Sequence, residues 1–164
     1  MGMVWIACLT TDEQSQKLRS DPEAIADFID SEGAYNSIYY IDLDKQWHAV
    51  HYLLTGSVEP VDSPLSLILG KFQECGPDQG YGPATYIPAR AVKAFHDALS
   101  SLSDEEISSR YDPIAMVRDQ VYIGQALADQ GKEGVEYLMS DIQRLRKFVA
   151  EGAAKSMDAF GLIT

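Results

Sequence analysis

Two histidines three residues apart, His48 and His51, sit among carboxylates and hydroxyls between Asp42 and Thr55, the densest collection of chemistry-bearing side chains in the sequence. At about 100° per residue on an α-helix, His48, His51, Tyr52 and Thr55 share one side, and Trp47, Val50, Leu53 and Leu54 the other. Asp44 projects over the polar side, and Asp42 stands one strand step earlier. Imidazole titrates near neutral pH and a carboxylate neighbour moves it, so the set could act as general acid and base. Two histidines at this spacing could also face one ion, with carboxylates completing the ligation. The plainer account makes Asp44 a helix N-cap and the histidines solvated or hydrogen-bonded to a neighbouring loop. No third histidine and no cysteine pair at zinc spacing accompanies them, so no metal is expected.

A second feature is the glycine-punctuated stretch from Gly76 to Pro83. Gly80-Tyr81-Gly82-Pro83 lacks the third glycine of a dinucleotide fingerprint, and Pro83 removes an amide that a phosphate cradle would use. No cofactor is expected. The stretch reads as a tight turn with glycines at positive φ and Tyr81 packed over the neighbouring helix, or else as the lid of a pocket. Cys8 lies in an apolar run and reads as a small buried hydrophobe, whereas Cys75, in the loop, is expected to be more exposed. Trp5 and Trp47 read as core. If the 70–83 loop closes over the polar helix face, then Asp42, Asp44, His48, His51, Tyr52 and Tyr81 form the candidate polar cleft.

Local signals define the elements that would position these groups. Val4 to Leu9 is a β-rich apolar run. Thr11 with Gln14 can form a capping box for a helix to about Arg19, and Asp21-Pro22 opens a second helix with Ile25, Phe28 and Ile29 inward. Ser37 to Leu43 reads as a strand, followed by the Asp44-capped helix that Gly56 stops. Leu65 to Leu69 is consistent with a strand or a helical turn, and Thr85 to Ile87 with a brief strand. From Pro88 onward helices dominate. Val92, Phe95, Leu99 and Leu102 make one stripe, Ser103 with Glu106 a second capping box, Asp112-Pro113 another helix start, and Val135, Leu138, Ile142, Leu145 and Val149 the longest stripe. Ala159 to Ile163 reads as a terminal strand. Together these predict an α+β fold: a small mixed sheet packed against several helices, in one domain spanning residues 1–164.

The 164-residue chain carries 13 basic and 25 acidic residues, a formal charge of -12, with 46% hydrophobic residues. That is enough apolar content for a sizeable core. The negative charge opposes counterion release from a phosphate backbone, so nucleic acid is not an expected partner. No run approaches a membrane span, and two distant cysteines suit a reduced, cytoplasmic protein. The apolar start is too short for a signal sequence and leads straight into a cap.

The stretch from Asp42 to Gly56, with Pro64-Leu65-Ser66 and Gly80-Tyr81-Gly82-Pro83 after it, resembles the YfbM-like family of uncharacterised bacterial proteins. The N-terminal helix pair, the Asp112-Pro113 turn and the chain length fit the same pattern. Ile87-Pro88-Ala89-Arg90 departs from it, because family members often show a Thr-Pro-Glu-Glu helix start there, and this puts that cap in doubt. The resemblance implies a compact α+β fold and no activity. Three functional classes follow from the residues: a ligand-binding domain, a protein-interaction module whose acidity suits a basic partner, and a small hydrolase-like or transferase-like enzyme using the His/Asp cleft.

Overall fold

The computed structural model describes residues 2–164. Five strands form one sheet in the order β2-β1-β5-β4-β3. They are β1 (Trp5–Thr10), β2 (Tyr40–Asp42), β3 (Gln73–Cys75), β4 (Ala84–Ile87) and β5 (Asp158–Ile163). Every pairing is antiparallel, so the expected mixed sheet is corrected. Parallel neighbours need a crossover that returns the chain to the starting end of the sheet. Here the helix pair α1 (Asp12–Ser20) and α2 (Ile25–Ala34) delivers β2 beside the end of β1, and a hairpin joins β3 to β4.

The sheet separates two apolar clusters. Ile6, Cys8, Phe160 and Leu162 project from one face onto Leu18, Ile25 and Ile29 of the helix pair. Trp5, Ala7, Leu9, Ile41, Ile87 and Ala159 project from the other onto the larger helical layer. Because β1 is covered on both sides it is buried throughout, which is why its sequence is a continuous apolar run without alternation. The larger layer contains α3 (Trp47–Thr55), α4 (Ala89–Ser100), α5 (Asp104–Ser108), α6 (Pro113–Arg118), α7 (Gly124–Gln130) and α8 (Lys132–Lys155). Leu138, Ile142, Leu145 and Val149 of α8 are fully buried, and each such burial is worth about 1.5–3 kcal/mol.

Both expected capping boxes are present, Thr11 with Gln14 on α1 and Ser103 with Glu106 on α5, and Asp112 caps α6 through the Ala115 N–H. Asp21 makes no side-chain cap, and a short 3-10 turn from Pro22 to Ala24 leads into α2. The Leu65 to Leu69 segment is neither strand nor helix but a turn-rich crossing that buries Leu67 and Ile68. The start of α4 at Pro88 has no local side-chain cap, and its first N–H, on Ala89, is taken by Asp158 of β5. The cap left in doubt by Ile87-Pro88-Ala89-Arg90 is thus supplied from the far end of the chain.

Candidate functional site

Asp44 does not cap α3. Its φ is 45°, in the left-handed region that Asp tolerates, and it opens a 3-10 turn before α3 begins at Trp47. The N–H of Asp44 donates to Asp42 Oδ1 at 2.6 Å, an Asx-type turn that reverses the chain as it leaves β2. Gly56 ends α3 in the left-handed conformation, as its position after Thr55 implies.

The two histidines are engaged by main-chain groups. His48 Nδ1 accepts the N–H of Tyr122 at 3.0 Å, so Nε2 carries the ring proton and donates to the Val58 carbonyl at 3.0 Å. Its ring stacks on Trp47 with centroids 5.0 Å apart. His51 is fully buried, with Nε2 3.1 Å from the Glu59 carbonyl oxygen and Nδ1 without a partner among the described residues. Burial pushes the His51 imidazole below its ordinary pKa, His48 adds to that, and the Glu59 carbonyl works in the opposite direction. The chain after Gly56 folds back over the face that carries both histidines and offers its carbonyls to both rings.

Tyr52 donates to Asp119 Oδ2 at 2.6 Å, and Arg118 grips the same carboxylate at 2.7 and 3.0 Å. Arg118 first, then Tyr52, holds the Asp119 carboxyl down at about 2, while the Asp119 hydrogen bond raises the Tyr52 hydroxyl. Thr55 Oγ1 donates to the His51 carbonyl. Asp42 and Asp44 remain on the β2–α3 turn, and Tyr81 stands on the β3–β4 hairpin. The cavity that Tyr81 lines includes none of the other five residues, so the six do not converge on one cleft. Cys75 is in β3 and buried, a correction to its loop placement, and burial raises both its thiol and that of Cys8.

Of four larger concavities, one of about 300 Å³ is lined by Lys71 and Arg90, which pair with nothing among the described residues, and in the other three polar side chains pair within the protein. One of about 510 Å³ lies between the start of α1 and the end of α8, where Thr11 and Gln14 cap each other and Lys155 bonds Tyr39 and Glu151. A second, about 550 Å³, borders the end of α3, where Arg110 donates to the Leu54 carbonyl and Asp112 caps α6. In the third, about 440 Å³ beside β2, Arg144 is paired with Asp141 and Glu151 with Lys155.

A smaller pocket of about 170 Å³ differs. It lies beneath the 70–83 segment, on the sheet face that carries Trp5, and is walled by Ile68, Leu69 and Gly70. Cross-strand register aligns Glu74 with Thr85, and Thr85 with Gly161, so these three form a row that runs from the exposed β3 edge inward to Gly161. Gly161 has no side chain to fill the space. A Cβ there would stand 3.3 Å from Trp5 Nε1 and 3.4 Å from Thr85 Oγ1, which locates both polar atoms at the bottom of the pocket. Trp5 is 2% exposed, and its Nε1–H has no hydrogen-bond partner among the described residues, unlike Trp47, whose Nε1–H donates to the Met3 carbonyl. Thr85 Oγ1 donates to the Gly161 carbonyl over a long 3.4 Å.

The roof is a built hairpin. Asp78 Oδ1 accepts the N–H groups of Gly80 at 2.6 Å and Gly82 at 3.1 Å, and both glycines have positive φ. That turn presents Tyr81, 52% exposed, at the mouth, with Ile68, Leu69 and Pro83 as apolar wall. Sequence reasoning expected the glycine turn around Tyr81, with a lid as the alternative, and set the histidines at the floor of the cleft. Trp5, Thr85, Gly161 and Glu74 were missed because their adjacency arises from strand register, and a tryptophan inside an apolar run has no local mark of function.

The fold is thus an α+β domain in which an antiparallel sheet lies between a helix pair and a larger helical layer. The chain belongs to the family described as a domain of unknown function, DUF1877, which matches residues 1–159. The solved structure of YfbM from Escherichia coli, a protein of unknown function, is similar in fold with a TM-score of 0.71 and 20% sequence identity, covering 98% of this chain and 99% of that one. No curated protein matches the chain. Among the described residues no helix is long and apolar enough to cross a membrane, and no three His, Cys, Asp or Glu side chains are grouped to hold a metal ion.

Proposed function

We propose that this domain binds a small molecule in the pocket floored by Trp5, Thr85 and Gly161 and roofed by Tyr81. One observation carries the reading: the indole N–H of a residue only 2% exposed faces a cavity without a partner. That N–H is open to the pocket and not sealed in the core, so a ligand acceptor can reach it, and a hydrogen bond formed there is worth about 0.5–1.5 kcal/mol net. The volume, about 170 Å³, is below the roughly 300–1,000 Å³ of sites for drug-sized ligands, so the ligand is small.

This reading stands ahead of an enzyme using His48 and His51, because main-chain partners engage both imidazoles and no concavity described above is lined by them. It stands ahead of protein docking because the exposed apolar side chains Tyr35, Ile38, Tyr81, Ile114, Val117 and Tyr137 belong to four separate segments. The test is native mass spectrometry of the protein purified from cells, beside a Gly161→Ala variant whose added methyl occupies the pocket floor. The wild type should carry a small bound mass that the variant lacks. Equal occupancy in both proteins, or none in the wild type, would overturn the reading.

A further inference from the structure

Resting on that pocket, we infer the ligand's chemical class: a small organic monocation with a neutral hydrogen-bond acceptor at the end opposite its charge, of which an amino amide is the simplest form. The inner end of the pocket sets the acceptor. Trp5 Nε1–H can only donate, so the group placed against it must offer a lone pair. Thr85 Oγ1, already donating to Gly161, keeps lone pairs for a ligand N–H, and an amide presents both a carbonyl oxygen and N–H groups.

The outer end sets the charge. Glu74 is the only acidic or basic side chain lining the pocket, and it enters no ion pair among the described residues. Glu74 is exposed at the β3 edge of that row whereas Trp5 is buried, so the carboxylate stands at the mouth and the indole deeper. A ligand cation beside Glu74 gains its attraction, and the Tyr81 ring at the same rim adds a face that favours positive charge. The chain's net charge of -12 raises the local concentration of cations and repels anions. A carboxylate or phosphate would satisfy Trp5 but would face both Glu74 and that field. The apolar wall of Ile68, Leu69 and Pro83 fits a short hydrocarbon link between the two ends.

The test uses the two indole N–H resonances of the 15N-labelled protein, titrated with glycinamide, acetamide and acetate at a pH where glycinamide is protonated. Trp5→Phe assigns the resonances, and Trp47, bonded to Met3, is the internal reference. Glycinamide should shift the Trp5 resonance at a concentration at least about tenfold below that needed for acetamide. Acetate should leave it unmoved, and Glu74→Gln should remove the advantage of glycinamide. If acetamide binds as well as glycinamide, or acetate binds better, the cation class is wrong while the pocket stands. If all three probes leave Trp5 unmoved, the ligand class and the binding pocket fall together.

Discussion

Asp158 Oδ1 lies 2.7 Å from the main-chain nitrogen of Ala89, so the first residue of β5 caps a helix that starts far earlier in the chain. The second oxygen of the same carboxylate accepts the Ser15 hydroxyl at 2.6 Å, and Ser15 is fully buried. One side chain thereby joins the terminal strand, the opening turn of α4 and the helix α1 on the opposite face of the sheet. Asp158→Ala removes the cap and leaves a buried hydroxyl unpaired. The expected loss is about 2–4 kcal/mol, summing a cap and an unsatisfied group. Asp158→Asn keeps an acceptor oxygen and should lose less, and chemical denaturation of both variants checks the order.

At Gly152, α8 packs against Leu9 of the sheet and Val92 of α4 with no room for a side chain. A Cβ there would stand 2.7 Å from Leu9 Cδ2 and 2.8 Å from Val92 Cγ1, and both of those residues are buried. Alanine is the better helix former by about 1 kcal/mol. Overpacking a dense core costs about 1–3 kcal/mol, so the steric term should win and Gly152→Ala should be destabilising. A thermal melt at or above the wild-type midpoint would show that the contact yields.

His51 gives stability a pH dependence of defined sign. Its folded-state pKa is depressed below the ordinary 6.5, burial being the largest cause. The unfolded chain therefore binds a proton that the folded chain does not as pH falls through 6.5. Its contribution is complete above that pH and is lost progressively below it, until the folded pKa is reached. Denaturation of wild type and His51→Leu at about pH 7.5 and about pH 5.5 should show a smaller drop in the variant. An equal drop in both would show that the folded-state imidazole is not depressed and that other groups set the pH dependence.

The charge of -12 leads to one further expectation, that labelled duplex DNA is not retained at physiological salt. Fluorescence polarisation checks it, and tight binding that weakens steeply with salt would reveal a basic surface overriding the net charge.

What could be read from the residues alone shares one physical property: it is local. A capping box closes within three residues, as at Thr11 with Gln14 and Ser103 with Glu106, and a helical stripe repeats every three or four, as from Leu138 to Val149. Asp112-Pro113, Gly56 and the positive-φ glycines of the β3–β4 hairpin are local in the same sense. These signals determined the α+β class, most of the elements and the glycine turn that carries Tyr81. Tertiary structure decided everything that depends on residues distant in the chain. β5 enters the sheet between β1 and β4, setting Gly161 beside Thr85 and opening a space over the Trp5 indole. His48 meets the Tyr122 N–H, and the 57–59 segment covers the face on which both histidines lie. Helical periodicity says which side of α3 a histidine occupies, but the groups that come to lie against that side are set by the path of the rest of the chain.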